Sequence, residues 1–192
     1  MKYITLVGAG ALGSHFALLA RNFDAKLTVV DFDRVEAKNI QSQFHTKMGQ
    51  GKNKAKALQQ ALLGMYKHQI GAKPTKLTHI NAGQLLEAPD LVVDCTDNFE
   101  ARRVIQSYVE PGTVDCLHGC LSADGTLVRV IWTEHFVPDA EGAEGEATCE
   151  DGENLPFHAL AAAMMAQIAQ HFLKTGVKES YQMTPYKVLR VA

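Results

Sequence analysis

The sequence predicts an α/β fold: a mostly parallel sheet covered by helices on both faces and extended by an antiparallel segment. Three observations lead to it. Apolar runs at residues 4–7, 27–30 and 91–94 alternate with stretches whose apolar residues recur at helical spacing, as expected for buried strands joined by crossover helices. The first run passes directly into Gly8, Gly10 and Gly13 and then into a helical stripe over 11–21. Towards the other end, Leu121-Ser-Ala-Asp-Gly-Thr126 reads as a hairpin turn into an alternating run at 127–132, which adds antiparallel pairing. The expected architecture is a Rossmann-like sheet in a single domain over 1–192, with no internal repeat and no linker.

The glycine turn is the first element with a chemical meaning. Gly8 suits the tight turn, Gly10 lets backbone approach a phosphate, and Gly13 lets helix and strand pack closely. The helix that follows presents free N–H groups and a partial positive charge to an anion. Asp31 stands 18 residues beyond Gly13, after the second apolar run, where a carboxylate can accept ribose hydroxyls. Asp33 belongs to the same nucleotide-contacting segment.

Residues 35–44 are polar with scattered apolar anchors and read as a loop or short helical turn over the nucleotide. From Asn53 onward Ala57, Leu58, Ala61, Leu62 and Met65 repeat at helical intervals, so Lys54 lies in the first turn of a helix. A lysine is unfavourable there, which a bound phosphate explains and a solvated surface position also allows. Residues 75–80 and 91–94 are the next expected strands. Asp94-Cys-Thr-Asp-Asn98 then leaves the second of them; Asp97 or Asn98 can cap the following helix, and Asp97 is also placed to hold a divalent metal bridging phosphates.

Residues 113–117 form a candidate strand, with Cys116 and Cys120 flanking an expected turn at 117–119, while Cys95 reads as a packing residue. Residues 139–153 hold seven acids and three glycines with almost nothing to bury, so this acidic loop is expected to be mobile. Pro156 opens a long Ala- and Met-rich helix to about residue 173, and 186–191 is the last expected strand.

Composition narrows the function classes. A net charge of -2 gives no general attraction to nucleic acid or to anionic membranes. The four cysteines form no CxxC pair, which argues against a zinc site of that spacing and a secreted disulfide framework and fits a reducing cytoplasm. There is no signal-like segment, and no apolar run approaches the roughly 20 residues of a membrane span.

Five stretches together resemble the ThiF/MoeB family, the bacterial relatives of ubiquitin-activating enzymes. They are the glycine turn, Asp31-Phe-Asp-Arg-Val with Asn39 following, Gly51-Lys-Asn-Lys54, Asp94-Cys-Thr-Asp-Asn98, and Cys149 ahead of the long helix. The resemblance implies ATP and Mg2+ as cofactors and adenylation of the C-terminal carboxylate of a ubiquitin-like or sulfur-carrier protein, by a homodimer or with a helper subunit. It assigns Gly8, Gly10 and Gly13 to phosphate approach, Asp31 to the ribose, Asn39 and Lys54 to the phosphates and Asp97 to magnesium. Lys54, Asp97 and Cys149 are then the candidate catalytic residues, Cys149 as an acceptor of the activated acyl group. Two departures stand out. Ser42 occupies the place of an arginine in the family's Asn-x-x-Arg-Gln motif, and only Met1 and Lys2 precede the first strand, where relatives carry a helix supplying an arginine to the partner subunit. Arg34, Arg102 or Arg103 could compensate. The competing expectations are a degenerate nucleotide-binding scaffold without turnover and a NAD-dependent oxidoreductase resting on the glycine turn and Asp31 alone.

Overall fold

In the computed structural model the described residues are 1–87, 89–109, 112, 114–137 and 152–191. Eight strands form one sheet in the order β3-β2-β1-β4-β5-β6-β7-β8. The parallel part comprises β1 (Lys2–Val7), β2 (Ala25–Val30), β3 (Gly71–Lys73), β4 (Leu91–Asp94) and β5 (Cys116–Leu121). Antiparallel pairing then adds β6 (Val128–Trp132), β7 (Ser180–Thr184) and β8 (Lys187–Val191).

Because side chains alternate across a strand, each buried strand feeds two cores. Leu6, Val29, Val93 and Leu117 face the helices α1 (Ala11–Leu19), α3 (Lys54–Tyr66) and α6 (Leu155–Thr175). Val7, Val30, Val92 and Cys116 face α4 (Ala82–Leu85) and α5 (Phe99–Val109) on the other side. The chain moves from β1 outward to β2 and β3, then crosses back to place β4 on the far side of β1. That reversal opens a crevice beyond the carboxyl ends of β1 and β4, where ligands of open α/β sheets lie.

Four expectations need correction. The strand expected at 75–80 is instead β3, ahead of Pro74; its Gly71 lies so close to Thr28 that an added Cβ would sit 2.6 Å from the Thr28 hydroxyl. Within 75–80 only Leu77 enters the core, and Ile80 is almost fully exposed. The strand expected at 113–117 starts at Cys116, and the turn expected at 117–119 is instead the middle of β5. A polar strand, β7, precedes the expected last one. Of the acidic stretch 139–153, only Gly152 and Glu153 are among the described residues; Cys149 lies outside them.

Candidate functional site

A cavity of about 400 Å3 opens at the crevice. Its floor is the glycine turn. Gly8 has φ of +90°, a region that disfavours side chains, and its N–H donates to the Val30 carbonyl at 3.0 Å. Gly13 lies beneath it, where an added Cβ would be 1.9 Å from the Gly8 carbonyl oxygen. The glycine is required because backbone, which cannot yield, fills that space. Gly10 differs: a Cβ there would meet nothing within 4 Å, and the residue borders the cavity. Space left open above Gly10 is what a phosphate needs for close approach to backbone.

The wall beyond β2 is built by one asparagine. Asn53 caps α3 by accepting the Lys56 N–H, and its amide donates to the carbonyls of Asp31 and Asp33 at 2.8 and 3.1 Å. This clamp brings Lys54 to the acidic turn, with its ammonium 3.4 Å from the Asp33 carboxylate and its side chain only 12% exposed. Asp31 accepts the N–H groups of Ala9 and Asp33 at 2.7 and 2.8 Å, tying the second strand end to the glycine turn. Burial raises its pKa, against the lowering effect of those N–H groups and of Lys54. Each oxygen accepts one bond from these partners, which leaves further lone pairs for a ligand hydroxyl. Asn39 is 2% exposed, borders the cavity, and accepts the Glu36 N–H at 2.8 Å through its side-chain oxygen Oδ1.

The opposite wall starts from Asp94, fully enclosed at the end of β4. Its carboxylate accepts the N–H and hydroxyl of Thr96 at 2.9 and 2.7 Å and pairs with His118 Nδ1 at 2.8 Å. Burial works to raise its pKa, but the His118 bond and charge, Arg102 and the Thr96 N–H together hold it below the ordinary value. The His118 ring is stacked on Phe136 at 3.9 Å, with Nε2 3.0 Å from the Thr133 hydroxyl. Thr96 passes this rigidity on by accepting Arg102 through its carbonyl at 2.8 Å. Asp97 follows as an exposed carboxylate bordering the cavity, and Asn98, not Asp97, caps α5 by accepting the Ala101 N–H.

The cavity therefore brings together Gly8, Gly10, Asp31, Asp33, Asn39, Lys54 and Asp97. Gly13 supports the turn from below. Of the arginines considered as compensators, Arg34 and Arg102 border the cavity, whereas Arg103 lies over the Phe99 ring. Ser42 is fully buried and does not border it. Burial raises the Cys95 and Cys116 thiols well above their ordinary value, with the Asp94 charge adding to the effect; Cys116 packs in the core, whereas Cys95 also borders the cavity. Sequence reasoning missed the Asn53 clamp, Gln43 at the cavity wall, His45 behind the glycine turn and the Asp94–His118 pair. Asn53 carried a signal as a cap residue ahead of a helical stripe, and Gln43 as the glutamine of the Asn-x-x-Arg-Gln motif; His45 and the Asp94–His118 pair carried none.

Among the described residues no group of three or more His, Cys, Asp or Glu is arranged to hold a metal ion. Magnesium does not need one, since it commonly rests on one or two carboxylates with ligand phosphates and water. Asp97, exposed at the cavity and without a hydrogen-bond partner among the described residues, suits that arrangement. No helix among the described residues is long and apolar enough to cross a membrane.

Fold and cleft together define a Rossmann-like α/β domain with its cavity beyond the carboxyl ends of the parallel strands. The sequence matches the model of the ThiF family over residues 2–190, and the chain belongs to that family. It is 35% identical over 105 residues to the adenylyltransferase and sulfurtransferase MOCS3 of Danio rerio, covering 53% of this chain and 23% of that protein. A sulfur carrier protein adenylyltransferase of Thermus thermophilus is also 35% identical over 105 residues, covering 53% of this chain and 39% of the relative. The adenylyltransferase and sulfurtransferase UBA4 of Lodderomyces elongisporus is 27% identical over 194 residues, covering 95% of this chain and 42% of that protein. The chain thus spans less than half the length of these relatives. Among solved structures, E. coli MccB with AMPCPP and MccA superposes with a TM-score of 0.78 at 13% identity, covering 99% of this chain and 63% of that one. PaaA gives a TM-score of 0.74 at 15% identity, covering 100% of this chain and 64% of that one. At such identities the likeness is one of fold.

Proposed function

We propose that this chain adenylates the C-terminal carboxylate of a ubiquitin-like or sulfur-carrier protein, using ATP and Mg2+. The observation that carries the reading is the placement of the largely buried Lys54 and the exposed Asp97 on opposite walls of a cleft floored by a glycine turn. The names of the relatives, an adenylyltransferase and sulfurtransferase and a sulfur carrier protein adenylyltransferase, and of MccB with AMPCPP and MccA, support the same direction.

In this reading the carrier's carboxylate attacks the α-phosphorus of ATP, forming an acyl-adenylate as the bond to pyrophosphate breaks. The attacking group is already ionised at neutral pH, so no general base is needed. Catalysis then consists of positioning and of stabilising charge on the departing pyrophosphate. Asp31 receives the ribose hydroxyls, the backbone at Gly8 and Gly10 approaches the phosphates, and Asn39 and Lys54 contact their oxygens. Asp33, ion-paired with Lys54, holds that ammonium at the cleft until a phosphate competes for it. Mg2+, held by Asp97 and the phosphates, would supply further neutralisation of the leaving group. The Cys149 thiolate is proposed to attack the carbonyl of the acyl-adenylate, forming a thioester as the acyl–phosphate bond breaks and AMP departs, and the working unit to be a homodimer or a complex with a helper subunit.

A second reading, a nucleotide-binding scaffold without turnover, is favoured by Ser42, whose buried hydroxyl puts no cation at the cleft. ATP–pyrophosphate exchange separates the two. The enzyme reading expects exchange that requires Mg2+ and a cognate carrier and that collapses in Asp97→Ala. Exchange undiminished in that variant removes the metal assignment, and nucleotide binding without exchange for any carrier leaves the scaffold. For Cys149 the test is a conjugate with the carrier on a denaturing gel that excess thiol cleaves; a conjugate that survives Cys149→Ala removes the thiol role.

A further inference from the structure

The Ala9 backbone is held on both sides of its Cα. Its N–H donates to Asp31 at 2.7 Å, and its carbonyl accepts the Nε2–H of His45 at 2.9 Å. His45 reaches it from the loop after α2 (Asn39–Ser42), a segment also sewn to α1 by the Phe44 N–H on the Ser14 hydroxyl at 2.8 Å. The imidazole is 6% exposed and does not border the cavity, so the Ala9 carbonyl points into the protein. No peptide bond in the described chain is cis, and in a trans peptide C=O and N–H point in opposite directions. The N–H of the next residue, Gly10, therefore points away from His45. Gly10 borders the cavity, and its N–H has no acceptor among the described residues.

We propose that His45 is a positioning residue for the phosphate cradle: by fixing the Ala9 carbonyl it keeps the Gly10 N–H turned to the cleft, ready for a phosphate oxygen of a nucleoside phosphate. This inference rests on the proposed function, since it takes the cleft to hold such a ligand. Two further features set His45 apart from a packing residue. Its Nδ1 is buried with no partner among the described residues, a cost that an apolar side chain in the same place would not bear. Burial, with Lys54 and His15 nearby, holds the imidazole below its ordinary pKa, so at neutral pH it carries a single proton, on the nitrogen that faces Ala9. The whole value of a histidine here lies in that one donated bond.

The test measures ATP and adenosine affinity by calorimetry in the full chain, for wild type, His45→Leu and His45→Gln. The inference expects His45→Leu to bind ATP about tenfold more weakly, the scale of one hydrogen bond to a charged group. Adenosine affinity should be unchanged, because it lacks phosphate. His45→Gln, whose terminal amide can donate at a similar reach, should recover ATP binding. Wild-type ATP affinity in His45→Leu, or equal losses for ATP and adenosine, overturns the inference while leaving the proposed function standing. A wild-type protein that binds no ATP overturns both. Should His45→Leu fail to fold, His45→Gln is compared with His45→Asn, whose shorter amide falls short of the carbonyl; about a tenfold gap in ATP affinity is expected, and equal affinities overturn the inference.

Discussion

Asp31 and Asp94 stand at the carboxyl ends of the two strands that flank β1, and locally they are built alike. Both are buried, and each accepts the N–H of the residue two positions on, Asp33 at 2.8 Å and Thr96 at 2.9 Å. Each is also followed within three residues by a more exposed acid at the cavity, Asp33 or Asp97. Beyond that they diverge. Asp94 is sealed against His118 and does not border the cavity, and its partners overcome burial to depress its pKa. Asp31 borders the cavity, and burial prevails over its partners to raise its pKa. One turn geometry thus serves as a structural anchor on one side of β1 and as a cavity-facing acceptor on the other. Incomplete compensation of a buried charge is what marks the second kind.

The sharpest way to break this comparison is to remove each carboxylate. Asp94→Ala takes one partner from a buried pair and should cost about 3–5 kcal/mol of stability in urea unfolding. Asp31→Ala should cost less, about 1–3 kcal/mol for the acceptors lost to Ala9 and Asp33, yet weaken ATP binding at least tenfold. If Asp31→Ala loses the more stability and keeps its ATP affinity, the two roles are assigned the wrong way round.

The glycines of the first turn sharpen the same distinction between support and contact. Gly13→Ala drives a methyl into the Gly8 carbonyl and should destabilise by about 3 kcal/mol in thermal unfolding. Gly10→Ala meets open space and should leave stability within about 0.5 kcal/mol of wild type, while its methyl obstructs the phosphate and lowers ATP affinity. Loss of stability in Gly10→Ala with unchanged affinity contradicts the cradle.

The smallest effects are in the pH dependence of stability. The folded-state pKa of Asp94 is depressed, so its contribution is present above the unfolded value of 3.8 and is lost as pH falls through the folded one. For Asp31 it is raised, so stability declines as pH climbs from 3.8 towards the folded value. His45 is lowered from 6.5, so stability falls as pH drops below that point. Chemical denaturation in steps from pH 7.5 to 5 should therefore show a decline beginning near 6.5 that His45→Gln abolishes.

How much of this was legible depends on how local each feature is. Gly8, Gly10 and Gly13 sit within one turn, and their strand, helix and distance to Asp31 could be read along the chain. Lys54 and Asp97 were legible by position, each just beyond a strand or at a helix start. The links that organise the cleft were not: His45 reaches Ala9 across 36 residues and His118 reaches Asp94 across 24. A lone histidine in a polar loop, and one inside a strand mistaken for a turn, carry no pattern that reveals such partners. The errors in the sheet share this origin. Gly71 enters β3 because it packs closely on Thr28, and Ser180 to Thr184 pairs as β7 although only Ser180 and Met183 are buried. In both places tertiary pairing prevailed over local preference.

The most direct test of the account is a crystal structure with a non-hydrolysable ATP analogue and Mg2+. The expected result places the ribose at Asp31, the triphosphate across Gly10 with Lys54 at its far end, and the metal on Asp97. A nicotinamide dinucleotide preferred in that cleft, or a bound nucleotide with Lys54 and Asp97 turned away from its phosphates, contradicts it.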